Sequence, residues 1–196
     1  MTKIRTILLS LTVAISCQLN AQILKNLEFT GGWAHVSGNN GLDGFNGGAS
    51  VWFTKRVSVG FDYDHTSDTN ALSNFGLTNI GLITVKSRMQ DWMVGPRFFF
   101  HSTEVKVLHT LHPFAEVEFG ASHLNTTVTQ VGLGSQEASD NSGTWLLGGG
   151  GDVLFSPHWA GRINLGLQRT HFAESAQSRL RLIMGVAYTF GSRKVK

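Results

Sequence analysis

Apolar and polar residues alternate along this chain in stretches of about ten, the period of strands with two unlike faces. Val57-Ser58-Val59-Gly60-Phe61-Asp62-Tyr63-Asp64 shows it most clearly, apolar at odd positions and polar or small at even ones. Arg179-Leu180-Arg181-Leu182 runs into Met184, Val186, Tyr188 and Phe190 in the same rhythm. Helical spacing fits neither segment. The pattern predicts eight strands, near 26–36, 44–54, 57–66, 85–100, 111–124, 143–155, 159–171 and 178–190. Short turns fall at Thr54-Lys55-Arg56 and Ser156-Pro157-His158, and longer polar loops near 37–43, 67–84 and 125–142. The connection at 101–110 is longer than the other two on its side. Short turns alternating with long loops are the plan of an all-β, eight-stranded antiparallel transmembrane β-barrel, with turns toward the periplasm and loops outside.

Residue types decide which face meets lipid. One face carries Leu27, Phe29, Trp33, Phe45, Val51, Phe53, Val59, Phe61, Tyr63, Trp92, Val94, Phe98, Val117, Phe119, Trp145 and Leu147. It continues with Phe155, Ile163, Leu165, Leu167, Leu182, Val186, Tyr188 and Phe190. The other carries Gly32, Asn46, Gly48, Ser50, Gly60, Gly95, Gly120, Gly148, Gly150, Asn164, Gly166 and Gly185, together with charges. A soluble barrel would turn that second face to water and load it with Lys and Glu. Here the seven lysines lie at the chain ends, in the short-side turns, or at a strand start (Lys86). Small residues crowded on one face suit the inside of a narrow barrel, and the aromatics gather near strand ends as interface girdles do.

Composition agrees. The 196 residues include 15% charged residues, 23 glycines and only 3 prolines, which fits many short strands and no Pro-rich linker. Lys3 and Arg5, the apolar run Ile7 to Ile15, and Leu19-Asn20-Ala21 before Gln22 form the three parts of a cleavable signal peptide over residues 1–21. The β-barrel domain then occupies 22–196. A second reading makes Cys17 a lipoprotein acceptor, since Ala14-Ile15-Ser16-Cys17 loosely follows a lipobox. Cys17 is the single cysteine, so neither a disulfide framework nor a Cys-metal site is available. Without residues 1–21, 14 basic residues face 13 acidic ones. A net charge of +1 without a clustered basic face excludes a nucleic-acid partner.

These features resemble the small porin-like or OmpA-type outer-membrane β-barrel family. The resemblance rests on Leu42-Asp43-Gly44-Phe45-Asn46-Gly47-Gly48, Val94-Gly95-Pro96-Arg97-Phe98, His112-Pro113-Phe114-Ala115, Gly148-Gly149-Gly150-Gly151-Asp152-Val153 and Gly185-Val186-Ala187-Tyr188-Thr189-Phe190. It implies a monomeric eight-stranded barrel in the bacterial outer membrane, in contact with lipid and lipopolysaccharide. It also implies insertion by the outer-membrane assembly machinery, with Tyr188 and Phe190 as the aromatic last-strand signal, although Gly191 to Lys196 follow. No peptidoglycan-binding domain is expected.

Strand phase places Glu28, Asp62, Asp64, Asp91, Glu116, Glu118 and Asp152 in the lumen with Arg97, Arg162, Arg179 and Arg181. Buried charges are costly unless paired, so these residues are expected to form one linked network. That network either fills the interior or gates a narrow ion pathway, in which seven acids against four bases favour cations. His35, His65, His123 and His171 look like a ring at the outer strand ends, but their phase points each outward, so no metal site is expected. Asp64 and His65 face opposite ways, and Gly148 to Gly151 are not followed by the Lys-Ser or Lys-Thr of a phosphate loop. No enzyme and no cofactor are expected. Two roles remain open. One is a structural or weakly conducting narrow pore with a charged, largely filled lumen. The other is an adhesin or surface-binding module acting through loops 67–84 and 125–142, the first carrying Leu72, Phe75, Leu77, Ile80 and Leu82.

Overall fold

The computed structural model describes residues 26–38, 41–72, 83–105, 109–130, 134–172 and 175–191. The predicted leader, including Cys17, lies outside them. Nine strands follow in order: β1 (Leu27–Val36), β2 (Leu42–Trp52), β3 (Val57–Leu72), β4 (Ile83–Phe99), β5 (Thr103–Val105), β6 (His109–Gln130), β7 (Gly134–Leu154), β8 (Trp159–Thr170) and β9 (Gln177–Thr189). All but β5 form the wall. Each pairs antiparallel with its neighbours, β4 pairs with β6, and β9 returns to β1. The result is the predicted eight-stranded closed barrel, and closure removes the free sheet edges of its wall.

Closure needs small residues. Gly32 of β1 stands opposite Gly185 of β9, and a Cβ on Gly32 would lie 2.6 Å from the Gly185 Cα. Gly41, at φ +64°, turns the chain from β1 into β2 in a conformation that disfavours side chains. The ladder between β4 and β6 runs to Val94↔Phe119 and resumes at Arg97↔Glu116, skipping Pro96, which has no N–H to donate.

The two faces separate as the alternation predicts. Phe119 and Leu147 are 59% and 56% exposed, and Phe29, Phe61, Val94, Ile163, Leu165 and Val186 also point outward. An apolar belt of this extent on a soluble surface would be an aggregation hazard; around a barrel it is the lipid-facing band. Near the turn end, Tyr188 packs on Trp159 and Phe190 with centroids 4.8 and 5.2 Å apart, and Phe190 meets Phe29 edge-on at 5.9 Å.

Two predicted loops are corrected. Most of 125–142 is ladder, from Asn125↔Ser139 to Gln130↔Gly134, and 67–84 gives Ser67–Leu72 to β3 and Ile83 and Thr84 to β4. Phe75, Leu77, Ile80 and Leu82 lie outside the described residues. The predicted 101–110 connection contains β5, which folds back on β6 from Thr103↔Leu111 to Val105↔His109. The β2–β3 ladder stops at Asp43↔Ser67, and β7–β8 starts at Thr144↔Thr170. Four adjacent strands, β3, β4, β6 and β7, therefore continue beyond the rim as a projecting sheet. Its two outer edges, 68–72 of β3 and 134–143 of β7, have no strand partner among the described residues.

Candidate functional site

Inward-facing side chains fill the barrel in layers. At the turn end, Trp52, Phe99 and Phe114 stack with centroids 4.3 and 5.3 Å apart, beside a small cluster of Leu154, Ala160 and Ala187. Trp52 donates its Nε1–H to Glu28 Oε2 at 3.1 Å, so the aromatic layer is tied to the charged layer above.

That charged layer is built of two groups that meet at the Phe114 ring. Arg162 grips Asp152 bidentately, Nε to Oδ1 at 2.6 Å and Nη2 to Oδ2 at 2.7 Å, and reaches Glu28 Oε1 at 2.7 Å. Asn164 donates to Glu116 Oε1, whose other oxygen takes the Arg97 Nε–H at 2.7 Å. Arg97 Nη2 lies 3.3 Å from Asp62 and 3.6 Å from Glu118. Glu118 leads at 3.9 Å to Arg181, whose Nε–H donates to Asp64 Oδ2 at 2.5 Å. Asn46 closes the run on Asp64 Oδ1 at 2.8 Å. The Phe114 ring lies between two guanidiniums, with Arg97 and Arg162 at 5.1 and 5.3 Å from its centroid. Planar guanidiniums suit such a place because they bond carboxylates in pairs and stack on ring faces.

Asp62, Glu116 and Glu118 bring carboxylate oxygens within 4.8 Å of one another, close enough to hold a metal ion. The cation among them is the Arg97 guanidinium.

Above the ion pairs lies a ring of small polar groups: Thr66, Asp91, Ser122, Thr144, Gln168 and Thr170, all buried. Ser122 donates to Asp91 Oδ1, and Gln168 Nε2 reaches Thr144 Oγ1 at 3.5 Å. Val36, Leu42, Met89 and Phe172, with Leu124 beside them, then seal the outer end. Phe172 comes from the β8–β9 connection and is 2% exposed. No strand period reaches that residue, so only its size and apolar character in a polar segment could have marked it.

Ten of the eleven predicted lumen residues are buried inside the barrel. Arg179 is placed differently. It is half-buried at the outer mouth, donating to Gln177 Oε1 at 2.6 Å and touching Met89 Sδ at 3.4 Å. The reason is its position near the start of β9, one inward step above Arg181 and level with the polar mouth rather than the charged layer. With Asp68, Ser87, Leu42 and Leu124 it lines an open pocket of about 140 Å³.

The strand-end histidines His35, His65 and His123 point outward. His35 stacks on Trp33 and bonds Asp43 at 2.8 Å, His65 stacks on Phe45, and His123 bonds Asn141 at 2.8 Å. Asp64 is turned into the lumen while His65 lies outside, so the two form no catalytic pair. Gly148 to Gly151 run extended within β7.

No family model matches the sequence, and no curated protein matches it. Solved structures do. Ail, the attachment invasion locus protein of Yersinia pestis, solved with the heparin analogue sucrose octasulfate, superposes with a TM-score of 0.54 at 16% identity, covering 83% of this chain and 95% of that one. Neisserial surface protein A gives 0.53 at 11%, covering 83% and 95%. The outer membrane protein OprG of Pseudomonas aeruginosa gives 0.51 at 9%, covering 85% and 96%. Identities this low establish a shared fold, that of eight-stranded outer-membrane barrels.

Proposed function

We propose that this protein is a structural outer-membrane barrel with a closed lumen, working through the sheet it projects above the outer rim. One observation carries the reading: an aromatic layer, an ion-paired layer and an apolar cluster succeed one another along the interior while β3, β4, β6 and β7 continue beyond the wall. Residues 134–139 of β7 are exposed along an edge without a strand partner, a template for an added strand from another protein. Adhesion is the coarse function that fits such an edge. The sulfated ligand of the Yersinia protein is not carried over. The outer parts of these four strands hold Lys86 and Arg88 against Asp68, Glu137 and Asp140, with no basic cluster for a polyanion.

The barrel would reach the membrane through a leader over residues 1–21 and the assembly machinery, with Tyr188 and Phe190 as the last-strand signal, and stand there as a monomer among lipid and lipopolysaccharide. The test is to join Asn125 to Ser139 through an Asn-Gly turn, which removes the β6–β7 tip at a paired position. Cells displaying the intact barrel should adhere to laminin-, fibronectin- or collagen-coated surfaces, and the shortened barrel should fold but lose adhesion. Equal adhesion of both, or of neither, sinks the reading.

A second reading, weak cation-preferring conduction, is favoured by the excess of carboxylates in the lumen. Planar-bilayer recording of the wild type and Arg97→Ala decides it, since a closed lumen gives no current in the wild type.

A further inference from the structure

Arg97, Arg162 and Arg181 each hold a carboxylate inside the barrel. Arg179, half-buried at the outer mouth, holds none within ion-pair distance among the described residues. Its partners are neutral: Gln177 Oε1 accepts from Nη2 at 2.6 Å, and Met89 Sδ lies 3.4 Å from Nη1. Asp91 acts on it only at longer range. These two contacts position the guanidinium and leave most of its N–H donors unengaged by the described residues.

Arg179 opens onto the outer-mouth pocket of about 140 Å³, which Asp68, Ser37, Ser87, Leu42 and Leu124 also line. Asp68 of β3 stands directly across the ladder from Ser87 of β4. Ser37 is fixed beside Arg179, because its N–H donates to the Leu180 carbonyl and its Oγ accepts from the Leu180 N–H, both at 2.7 Å. The hydrogen on that Oγ stays available, and Ser87 adds a second hydroxyl to the lining. The Asp68 carboxylate and the Arg179 guanidinium thus line one cavity and are not joined across it. Opposite charges held apart over a small open space match a ligand that carries both signs. A dianion would be repelled by Asp68, and a simple cation by Arg179.

We infer that this pocket binds a small zwitterion of the α-amino acid class. Its carboxylate is taken by Arg179, with the Ser37 and Ser87 hydroxyls as further donors, and its ammonium by Asp68. Leu42 and Leu124 give a short side chain an apolar wall. A planar guanidinium suits the first contact, since charge-assisted bonds to carboxylate are strong and directional. Volume limits the class, because a cavity of about 150 Å³ admits a molecule of about six non-hydrogen atoms, the size of alanine.

The purified full-length barrel, folded in detergent micelles, is equilibrated by dialysis with radiolabelled L-alanine in the presence of unlabelled competitors. Alanine should saturate at about one molecule per chain. Propionate, which lacks the ammonium, and ethylamine, which lacks the carboxylate, should compete at least about tenfold more weakly, and sulfate should not compete. Arg179→Gln and Asp68→Asn should each weaken alanine binding by about tenfold or more. Asp68→Asn should at the same time bind propionate more tightly than wild type does, a gain that general damage to the fold cannot produce. Should either charge variant fail to fold, Ser87→Leu, which keeps both charges and fills the pocket, should abolish alanine binding by itself. The site is overturned by absence of saturable alanine binding in the wild type, or by equal binding in wild type and variants. Propionate competing as well as alanine overturns the zwitterion and leaves a plain anion site.

Discussion

Arg181 of β9 and Asp64 of β3 meet at 2.5 Å, both closed off from solvent, although β1 and β2 lie between their strands in the sheet. The pair crosses the barrel rather than running along its wall. It therefore acts as a brace on the cross-section, and removing one end leaves the other charge buried.

Arg181→Met should cost about 3–5 kcal/mol, since an unpaired buried carboxylate remains. Adding Asp64→Asn should recover part of that loss, with a coupling of about 0.5–3 kcal/mol. Denaturant titration of the four proteins of this cycle, refolded in micelles, measures both. Additive losses would show that the two residues are not partners.

Leu165→Arg distinguishes a lipid-facing wall from a wet one. Leu165 is 53% exposed near the middle of β8. On a soluble surface the change would stay within about 0.5 kcal/mol. In a bilayer it should cost about 2–4 kcal/mol, and less toward the strand ends. Refolding equilibria in lipid vesicles give the value.

Phe172→Ala opens the outer seal. The ring packs against Val36, Leu42 and Met89, so its loss should cost about 3–5 kcal/mol if the cavity stays empty. Conductance should remain absent, because the ion-pair layer beneath still blocks the lumen. A current through this variant would place the barrier at the seal.

Gly32→Val should prevent closure altogether. Its Cβ would fall 2.6 Å from the Gly185 Cα, and neither backbone can retreat without opening the β1–β9 seam. The readout is electrophoresis without heating, where folded barrels migrate apart from unfolded chain. A normally folded Gly32→Val would show the seam to be more pliant than this geometry allows.

Inside the lipid band the sequence was legible because the environment enforces a contrast. Phe61 must suit lipid and Asp62 must not meet it, so adjacent residues differ and the phase of Arg97, Glu116 or Arg162 can be counted. Beyond the rim both faces of a strand meet water and the contrast vanishes. Asn125-Thr126-Thr127 and Ser139-Asp140-Asn141 thus looked like loop although they pair in register. Thr and Val in β6 keep their preference for extended backbone there. Phe172 and β5 were missed for a related reason, since both belong to connections where no period operates. Arg179 had the right phase and the wrong depth. Alternation reports which way a side chain faces, while height along the axis depends on strand tilt and register.

The lumen pairs also impose a timetable on assembly. Arg162 seeks Glu28 near the start of the barrel, and Arg181, on the final strand, seeks Asp64 on the third. Until β9 docks on β1, Asp64 lacks its arginine, and an incomplete barrel carries its charge open toward the space where lipid would enter. A chain cut short before its last strand thus leaves the Asp64 carboxylate without its ion-pair partner. Only a complete chain supplies Asp64 with Arg181.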